Sequence, residues 1–294
     1  MSDFVHKVFD FIASKNLEKE KEVGLIKKTT LDLSQKSKEI DNHGPSDLFM
    51  AVRDFAGQHI QQFINSSPDY NWVKVEQTHP CFDHFNFKYK NKIFSVLVDI
   101  KNPEGKSFMP PEFIKRQLDE SERNNLVPCT FPVVVDNPDE PALNTMKTFG
   151  DGINLFNTIT SNVVVPESIG TDDKVLMSNW ELHNYAILHV RSILKQKNVP
   201  VISFQDIPVI NPQLWMIDNR GNKCWVVIRH YVGNEEASIT PEDLTEITRR
   251  CFKFNGYFCS VGFNPSKKSG DKYLFRNSVI DTQFNGFKTI HTYI

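Results

Sequence analysis

The stretch Cys81–Lys101, CFDHFNFKYKNKIFSVLVDIK, decides the fold of the first half of the chain. An aromatic-rich run ends at Tyr89, the polar Lys90-Asn91-Lys92 follows, and an apolar run occupies residues 93–98. Two such runs joined by a short polar segment are typical of a β-hairpin. We therefore predict two antiparallel strands with a two-residue turn near Lys90-Asn91.

Three charged residues meet at the open end of this hairpin. In the predicted register Asp83 lies opposite Val98 and therefore beside Asp99. Side chains alternate along a strand, so Asp99 and Lys101 share one face and Ile100 points to the other. A carboxylate at the end of an apolar strand is costly to bury unless it is paired or bound to metal. The pattern leaves two interpretations open, a solvated ion pair at a strand end or a functional site.

Length and composition indicate a folded protein of two domains. The 294 residues exceed the usual size of one domain, and 39% hydrophobic with 24% charged residues is typical of a globular protein. The formal net charge of −2 gives no global basic field, so nucleic-acid binding requires a local basic patch. The sequence has no GxGxxG, Walker A or GxSxG motif, which leaves dinucleotide, nucleoside-triphosphate and serine-hydrolase functions without support.

The cysteines and the first residues indicate the compartment. Five cysteines are widely spaced without a CxxC pair, which argues against a disulfide framework and for a reducing environment. The first residues mix acidic with apolar side chains and lack a cleavage site, and no apolar run reaches the length of a transmembrane helix. We expect a cytoplasmic protein without a membrane partner.

Apolar spacing and β-prone runs predict the other elements of the first half. In chain order they are a helix over 3–14, a Lys- and Glu-rich arm up to residue 45, an amphipathic helix over 47–65, a strand over 72–77, a helix opened by Pro111 and a strand over 127–135. The prolines of the last strand are expected to place part of it at a sheet edge. The arm is a candidate contact for another protein.

A second copy of this order appears about 130 residues later. Residues that match at this distance are Ala56 with Ala186, His59 with His189, Pro111 with Pro241 and Cys129 with Cys259. Matches in the same element order predict an internal duplication. We expect an α/β fold of the α+β kind, with two tandem modules that are each a mixed β-sheet flanked by helices. The predicted divisions are 1–45 for the N-terminal helix and arm, 46–165 for the first module and 166–294 for the second.

The second hairpin lacks the charges of the first. In direct register, His230-Tyr231-Val232 takes the place of Asp99-Ile100-Lys101, and in a slipped register Val227-Ile228-Arg229 does. Neither triplet is acid-x-Lys. Charges that serve only solubility could occur in either copy. The acid-x-Lys charges occur only in the first copy, which favours a functional site there.

The order helix, strand, hairpin ending in acid-x-Lys, helix and strand resembles the core of the PD-(D/E)xK, or restriction-endonuclease-like, superfamily. The matching residues are Asp83, Asp99 and Lys101, with Gln117 similar to a helix glutamine of some members. The resemblance covers residues 47–135 and, as a degenerate copy, residues 179–263. The chain departs from the family pattern at Phe82, where the family has proline, and in having Asp instead of the commoner Glu before Lys101.

The resemblance implies a metal-dependent nuclease. Asp83, Asp99 and the Ile100 carbonyl would supply oxygen ligands for Mg²⁺ or Mn²⁺, which would polarise a phosphodiester. Lys101 would stabilise charge on the phosphate, and Gln117 would orient the attacking water.

The expected partner of such a site is DNA or RNA. A local basic patch would contact its phosphates through Lys88, Lys90, Lys92, Lys106, Lys115 and Arg116. The alternative is a non-catalytic tandem nuclease-like protein that serves as an adaptor or regulator and binds nucleic acid or another protein, through the arm or the second module.

Overall fold

The computed structural model describes residues 47–74, 85–136, 146–149 and 152–290. The predicted helix over 3–14, the charged arm and Asp83 lie outside these residues, so their structure stays a prediction. None of the helices in the described ranges has both the length and the apolar character that crossing a membrane requires.

The N-terminal half contains one sheet, the N-terminal sheet, with a helix before it and another between two of its strands. Its elements are α1 (Asp47–Ile64), β1 (Tyr70–Lys74), β2 (Phe85–Tyr89), β3 (Lys92–Lys101), α2 (Pro111–Asn124), β4 (Val127–Val135), β5 (Met146–Thr148) and β6 (Phe156–Asn157). The predicted helix over 47–65, the helix opened by Pro111 and the strand over 127–135 are therefore confirmed, and the first strand begins two residues earlier than expected.

The C-terminal half contains the C-terminal sheet and three helices. Its elements are α3 (Pro166–Ile169), α4 (Asn179–Gln196), β7 (Val201–Phe204), β8 (Leu214–Ile217), β9 (Lys223–Val232), α5 (Pro241–Cys251), β10 (Asn255–Pro265), β11 (Ile280–Phe284) and β12 (Lys288–Ile290). Both α2 and α5 begin at a proline, which is tolerated in a first helical turn because the missing N–H has no intrahelical partner there.

The two sheets have the same strand arrangement. The strand order is β1-β2-β3-β4-β5 in the first and β7-β8-β9-β10-β11 in the second, while β6 pairs with β4 and β12 pairs with β10. The pairs β3/β4 and β9/β10 are parallel, and the other pairs are antiparallel. A parallel pair needs a crossover, and α2 and α5 supply it. The expected class of two mixed sheets flanked by helices is confirmed.

The first hairpin has the predicted register. β2 and β3 pair antiparallel, with Tyr89 opposite Lys92 and Phe85 opposite Val96. Lys90 has a φ of 49°, the left-handed conformation that the first position of such a tight turn requires. The second strand of the hairpin, β3, therefore ends at Lys101, where the sequence predicts the charged residues.

The two faces of β3 have different neighbours. Alternate residues from Phe94 to Ile100 pack into the core cluster that α1 completes. Because side chains alternate along a strand, Asp99 and Lys101 lie on the opposite face, the side on which α2 packs. This confirms that Asp99 and Lys101 share a face and that Ile100 points away from them.

The strand β4 is interior rather than at an edge. One side pairs with β3 over almost its whole length, and the other side is shared between β6 at Cys129-Thr130 and β5 at Val133–Val135. Pro132 lies in the gap between these two pairings, where its carbonyl accepts a hydrogen bond from Asn154 Nδ2 at 2.9 Å. The unpaired edge predicted from the prolines is thus limited to this gap in the pairing of β4. A proline removes only the N–H donor at its own position in the strand.

Buried contacts join the two halves. Trp180, at the start of α4, packs with Val73, Ile93 and Leu126 of the N-terminal half. Arg276, in the loop between β10 and β11, is 5% exposed and donates hydrogen bonds to residues of both halves.

Candidate functional site

Asp99 and Lys101, here called the acid-lysine pair, come together at the carboxyl end of β3. Lys101 Nζ lies 3.8 Å from Asp99 Oδ2. The side chain of Lys101 is 23% exposed and that of Asp99 is 12% exposed, so the pair is sheltered but reachable from solvent. In open α/β sheets, ligands bind outside the carboxyl ends of the strands, which is where this pair lies.

A tight turn after β3 adds a hydroxyl to the pair. The Lys106 N–H donates to Asn102 Oδ1 at 2.8 Å, and Gly105 has a φ of 81°, which glycine adopts without strain. The returning chain places Ser107 Oγ 2.5 Å from Asp99 Oδ1, to which it donates a hydrogen bond. Sequence reasoning missed Ser107, although Asn-Pro-x-Gly over residues 102–105 is a turn pattern that indicates this return.

Burial dominates the electrostatics of Asp99. It raises the pKa of this carboxyl above its ordinary value, although the hydrogen bond from Ser107 and the charge of Lys101 both favour the carboxylate. Loss of water therefore outweighs the two partners. A further cation near Asp99 would stabilise its ionised form.

Gln117 lies in the interior, away from the acid-lysine pair. It is 1% exposed, and its Nε2 donates to the carbonyls of Ser95 at 2.7 Å and Cys129 at 2.8 Å. Its Oε1 accepts a hydrogen bond from Thr158 Oγ1 at 3.0 Å. Both protons of the amide are used in contacts that fasten α2 to β3 and β4. The structure does not bring the Gln117 amide to Asp99.

The predicted basic patch divides between the two ends of β3. At the turn end, Lys88 Nζ donates to a carbonyl of the C-terminal half at 2.8 Å, and Lys90 pairs with Asp172 at 3.1 Å. β3 is ten residues long, so this end is about 30 Å from Lys101. Lys92 begins the strand there. The basic residues toward the other end, on the turn after β3 and on α2, are Lys106, Lys115 and Arg116.

Two exposed aromatic residues lie near the end of β3, and the ring of one of them, Phe149, contacts the acid-lysine pair. Phe108 is 57% exposed, and its N–H donates to the Ile100 carbonyl at 2.9 Å. Phe149 is 53% exposed, and its ring centroid lies 5.0 Å from Lys101 Nζ. Sequence reasoning missed both residues. Phe149 follows β5 and reaches the site only because β5 pairs with β4, which no local spacing reveals.

The described oxygen donors fit a hard divalent cation in kind. Mg²⁺ is usually held by one or two carboxylates and keeps several waters. Asp99 supplies one carboxylate, and the Ile100 carbonyl keeps a second lone pair beside its bond from the Phe108 N–H. Within the described ranges, no three His, Cys, Asp or Glu side chains form a group able to hold a metal ion. The second predicted carboxylate, Asp83, lies outside those ranges.

The strand ladders fix the register in which the two sheets correspond. Val96 pairs with Cys129 across β3 and β4, and Ile228 pairs with Cys259 across β9 and β10. All four residues are buried, on the α1 side of the first sheet and the α4 side of the second. Matching the sheets through these pairs shifts β9 by one residue from the direct register.

In this matched register, Tyr231 takes the position of Asp99 and Gly233 that of Lys101. This match, which applies to the predicted duplication, differs by one residue from the direct triplet 230–232 and also differs from the slipped triplet 227–229. The reason is that a five-residue loop, Asp218–Asn222, replaces the two-residue turn of the first hairpin. The C-terminal sheet lacks the acid-x-Lys triplet in each of these registers. The Tyr231 hydroxyl accepts a hydrogen bond from Asn285 Nδ2 at 2.8 Å.

Comparison with known proteins gives one partial match. A family model described as a domain of unknown function, DUF8840, matches residues 180–290, which form most of the C-terminal half. No curated protein and no solved structure matches the chain. The match covers the half without the acid-lysine pair and carries no statement about that site.

Proposed function

We propose that the N-terminal half is a nuclease-like domain whose acid-lysine pair acts on phosphodiester bonds with a divalent cation. The observation that carries the proposal is the position of the pair. A sheltered carboxylate and an ammonium group share one face at the carboxyl end of β3, directly beside a parallel strand. This is the arrangement that the resemblance to the PD-(D/E)xK superfamily implies.

The order of the elements supports the proposal. A helix, a three-stranded antiparallel meander, a second helix and a strand parallel to β3 follow one another from α1 to β4. The same order recurs from α4 to β10. We interpret the C-terminal half as a degenerate second copy of the domain, in which Tyr231 stands where the first copy has Asp99.

The residues of the pair have distinct roles in this proposal. Lys101 would hold its ammonium against the phosphoryl oxygen on which charge develops, and preorganised charge of this kind is a major source of rate enhancement. Ser107 would orient the Asp99 carboxylate through the hydrogen bond it already makes. Mg²⁺ or Mn²⁺, when bound, would supply Lewis-acid stabilisation of the phosphoryl group. Hydrolysis then adds a water oxygen to phosphorus and breaks the bond to the leaving oxygen, which is protonated.

The proposal is tested by a cleavage assay. Labelled single- and double-stranded DNA and RNA are incubated with the full chain and Mg²⁺ or Mn²⁺, and Lys101→Ala is compared with wild type. We expect cleavage by wild type and a loss of at least about 100-fold in the variant, the usual effect of removing a group that stabilises the transition state. Lys288→Ala is the matched control, because Lys288 also pairs with a carboxylate, Glu236, but belongs to the C-terminal sheet.

Two results would contradict the proposal. One is the absence of cleavage of all four substrates with both metals, and the other is equal cleavage by wild type and Lys101→Ala. Thermal unfolding of each variant checks that it is folded, which we expect because partly exposed ion pairs contribute about 0–1 kcal/mol to stability.

A second candidate function is a non-catalytic nuclease-like binding protein. It is favoured by Gln117, which is 1% exposed and gives both amide protons to the sheet while its oxygen accepts from Thr158, so it has no proton left to donate to a water. In that case the chain binds nucleic acid or protein without metal, and Lys101→Ala leaves every substrate uncleaved, like wild type.

A further inference from the structure

The acid-lysine pair contacts an aromatic side chain that the fold leaves exposed. Phe149 is 53% exposed and lies against Lys101, whereas the phenylalanines of β2, β3 and β4 are nearly or fully buried. Phe108 is also exposed, but Ser107 is bridged to Lys101 in antiparallel register and binds Asp99, so Phe108 lies on the face of Ile100. Phe149 is therefore the ring on the face of the pair.

The Lys101 ammonium links the charge of the site to this ring. Its Nζ is 5.0 Å from the Phe149 centroid and 3.8 Å from Asp99 Oδ2, so one cation contacts both an aromatic ring and the carboxylate. A ligand group that contacts the ammonium thus lies within reach of Phe149 as well. Exposed Lys106, on the turn between Asp99 and Phe108, adds a second positive charge near the pair.

Aromatic rings beside phosphate-binding cations are the usual way in which proteins hold unpaired bases. Every base has a face that stacks on an aromatic side chain, while in a duplex the base faces are already stacked on one another. A protein partner would also use exposed aromatic residues, but it would not need the cations that accompany them at this site.

We infer that the substrate of this site is single-stranded nucleic acid, with a base next to the bound phosphate stacked on Phe149. The inference rests on the proposed function and names its substrate class. Lys101 and Lys106 contact phosphate, and the Phe149 ring holds a base beside it. A duplex presents only its backbone to the same surface and binds more weakly.

Binding without cleavage tests the inference. Fluorescence anisotropy is measured with the full chain in EDTA, using labelled single-stranded and duplex DNA and RNA of mixed sequence. We expect single strands to bind at least about fivefold more tightly than duplexes. Phe149→Ala should weaken single-strand binding by about 5- to 150-fold, while Phe149→Trp should retain it, because stacking of one base has this range of effect.

Phe252→Ala is the matched control. Phe252 is 53% exposed and also has a lysine, Lys253, with its Nζ 5.5 Å from the ring centroid, but it follows α5 in the C-terminal half. Equal affinity for single strands and duplexes, or a loss in Phe149→Ala no larger than in Phe252→Ala, would overturn the inference. Absence of nucleic-acid binding would do the same and would leave the Phe149 ring as a contact for a protein.

The outcomes separate this inference from the nuclease proposal. Tight, Phe149-dependent binding of single strands together with no cleavage in Mg²⁺ or Mn²⁺ refutes catalysis and retains the single-strand surface. Cleavage that needs Lys101 but prefers duplex and is unchanged in Phe149→Ala retains the nuclease and refutes the surface. Because Phe149 is half exposed, its alanine variant should unfold within a few degrees of wild type, which a thermal scan checks.

Discussion

Gln117 shows how one buried amide can hold a helix and two strands together. Its Nε2 bridges the carbonyls of Ser95 on β3 and Cys129 on β4, and its Oε1 receives the Thr158 hydroxyl. These two strands form the parallel pair, and Asp99 lies near the carboxyl end of β3. The Gln117 amide therefore supports the geometry of the acid-lysine pair by holding β3 and β4 together. The polarity of this side chain is explained by the sheet without any contact to a substrate.

Replacement of Gln117 by leucine is expected to lower the free energy of unfolding by about 2–4 kcal/mol. The change removes the two buried hydrogen bonds of Nε2 and the bond from Thr158, and it leaves two carbonyl groups without this donor, which costs more than the bonds themselves contribute. Urea unfolding followed by circular dichroism measures the effect. The exposed Gln58 of α1 supplies the control, since Gln58→Leu should change stability by less than about 0.5 kcal/mol. A Gln117→Leu variant as stable as wild type would refute the structural role and return Gln117 to the list of catalytic candidates.

The acid-lysine pair itself was predictable because it depends on one strand. Period two in a single β-strand places Asp99 and Lys101 on one face, and no other part of the chain is needed for that result. Ser107 required recognition of one turn pattern. Phe149 could not be found from the sequence, since its place depends on the antiparallel pairing of β5 with β4.

At the scale of elements, strongly patterned strands were predictable and short ones were not. β3 and β4 are nearly continuous apolar runs, whereas β5 and β6 have three and two residues and gain their conformation from β4. Matching β9 to β3 through the strand ladders gives a register that differs by one residue from the direct register read from the sequence, for a related reason. Loop length between β8 and β9 sets where the second ladder begins, and residue identity alone does not reveal it.

The contact between α4 and β9 buries two histidines against each other. The rings of His183 and His230 lie 5.8 Å apart, and His183 is 1% exposed with no hydrogen-bond partner at Nε2. Burial is the main reason why the pKa of His183 falls to about 3 and that of His230 to about 4. The charge of Arg229 lowers both further, while Asp206 acts in the opposite direction on His183.

These pKa shifts predict that the protein loses stability as the pH falls. Both histidines stay neutral in the folded state from pH 6.5 down to about pH 4, while in the unfolded chain they bind protons near pH 6.5. Their contribution is therefore complete above about pH 6.5 and is lost as the pH falls toward 4. Each histidine adds a slope of at most about 1.4 kcal/mol per pH unit in this window.

Chemical unfolding at a series of pH values measures that slope. His183→Asn and His230→Gln should each give a shallower slope between pH 6.5 and 4, whatever their stability at pH 7. Comparing slopes rather than stabilities removes the cost of the altered packing. Slopes identical to that of wild type in both variants would show that these two rings do not titrate as their burial requires.

At the scale of the whole molecule, Arg276 uses every donor it has and joins the two halves through three of its hydrogen bonds. Nε and Nη2 pair with the two carboxylate oxygens of Glu181 at 2.9 Å each. The remaining donors reach the carbonyls of Asn91, Asn124 and Asn125, which lie at the turn of the first hairpin and at the end of α2. Arg276 and Glu181 are both 1% exposed in their side chains. The C-terminal half thus inserts a fully satisfied buried ion pair against the end of the N-terminal sheet opposite the acid-lysine pair.

Removal of this guanidinium is expected to separate the unfolding of the two halves. Arg276→Met leaves the Glu181 carboxylate buried without its partner, which typically costs about 3–5 kcal/mol, and it frees three carbonyls of the N-terminal half. Calorimetry should show one transition for wild type and two, or one markedly broadened, for the variant. Arg220→Met, in the exposed loop between β8 and β9, should behave like wild type.

The double variant Arg276→Met with Glu181→Leu distinguishes charge burial from coupling. Two apolar side chains remove the unpaired carboxylate, so part of the lost stability should return. The bonds to Asn91, Asn124 and Asn125 do not return, so the two transitions should remain separate. If the double variant instead unfolds in a single sharp transition, the halves are coupled by apolar packing around Trp180 and the role assigned to Arg276 is wrong.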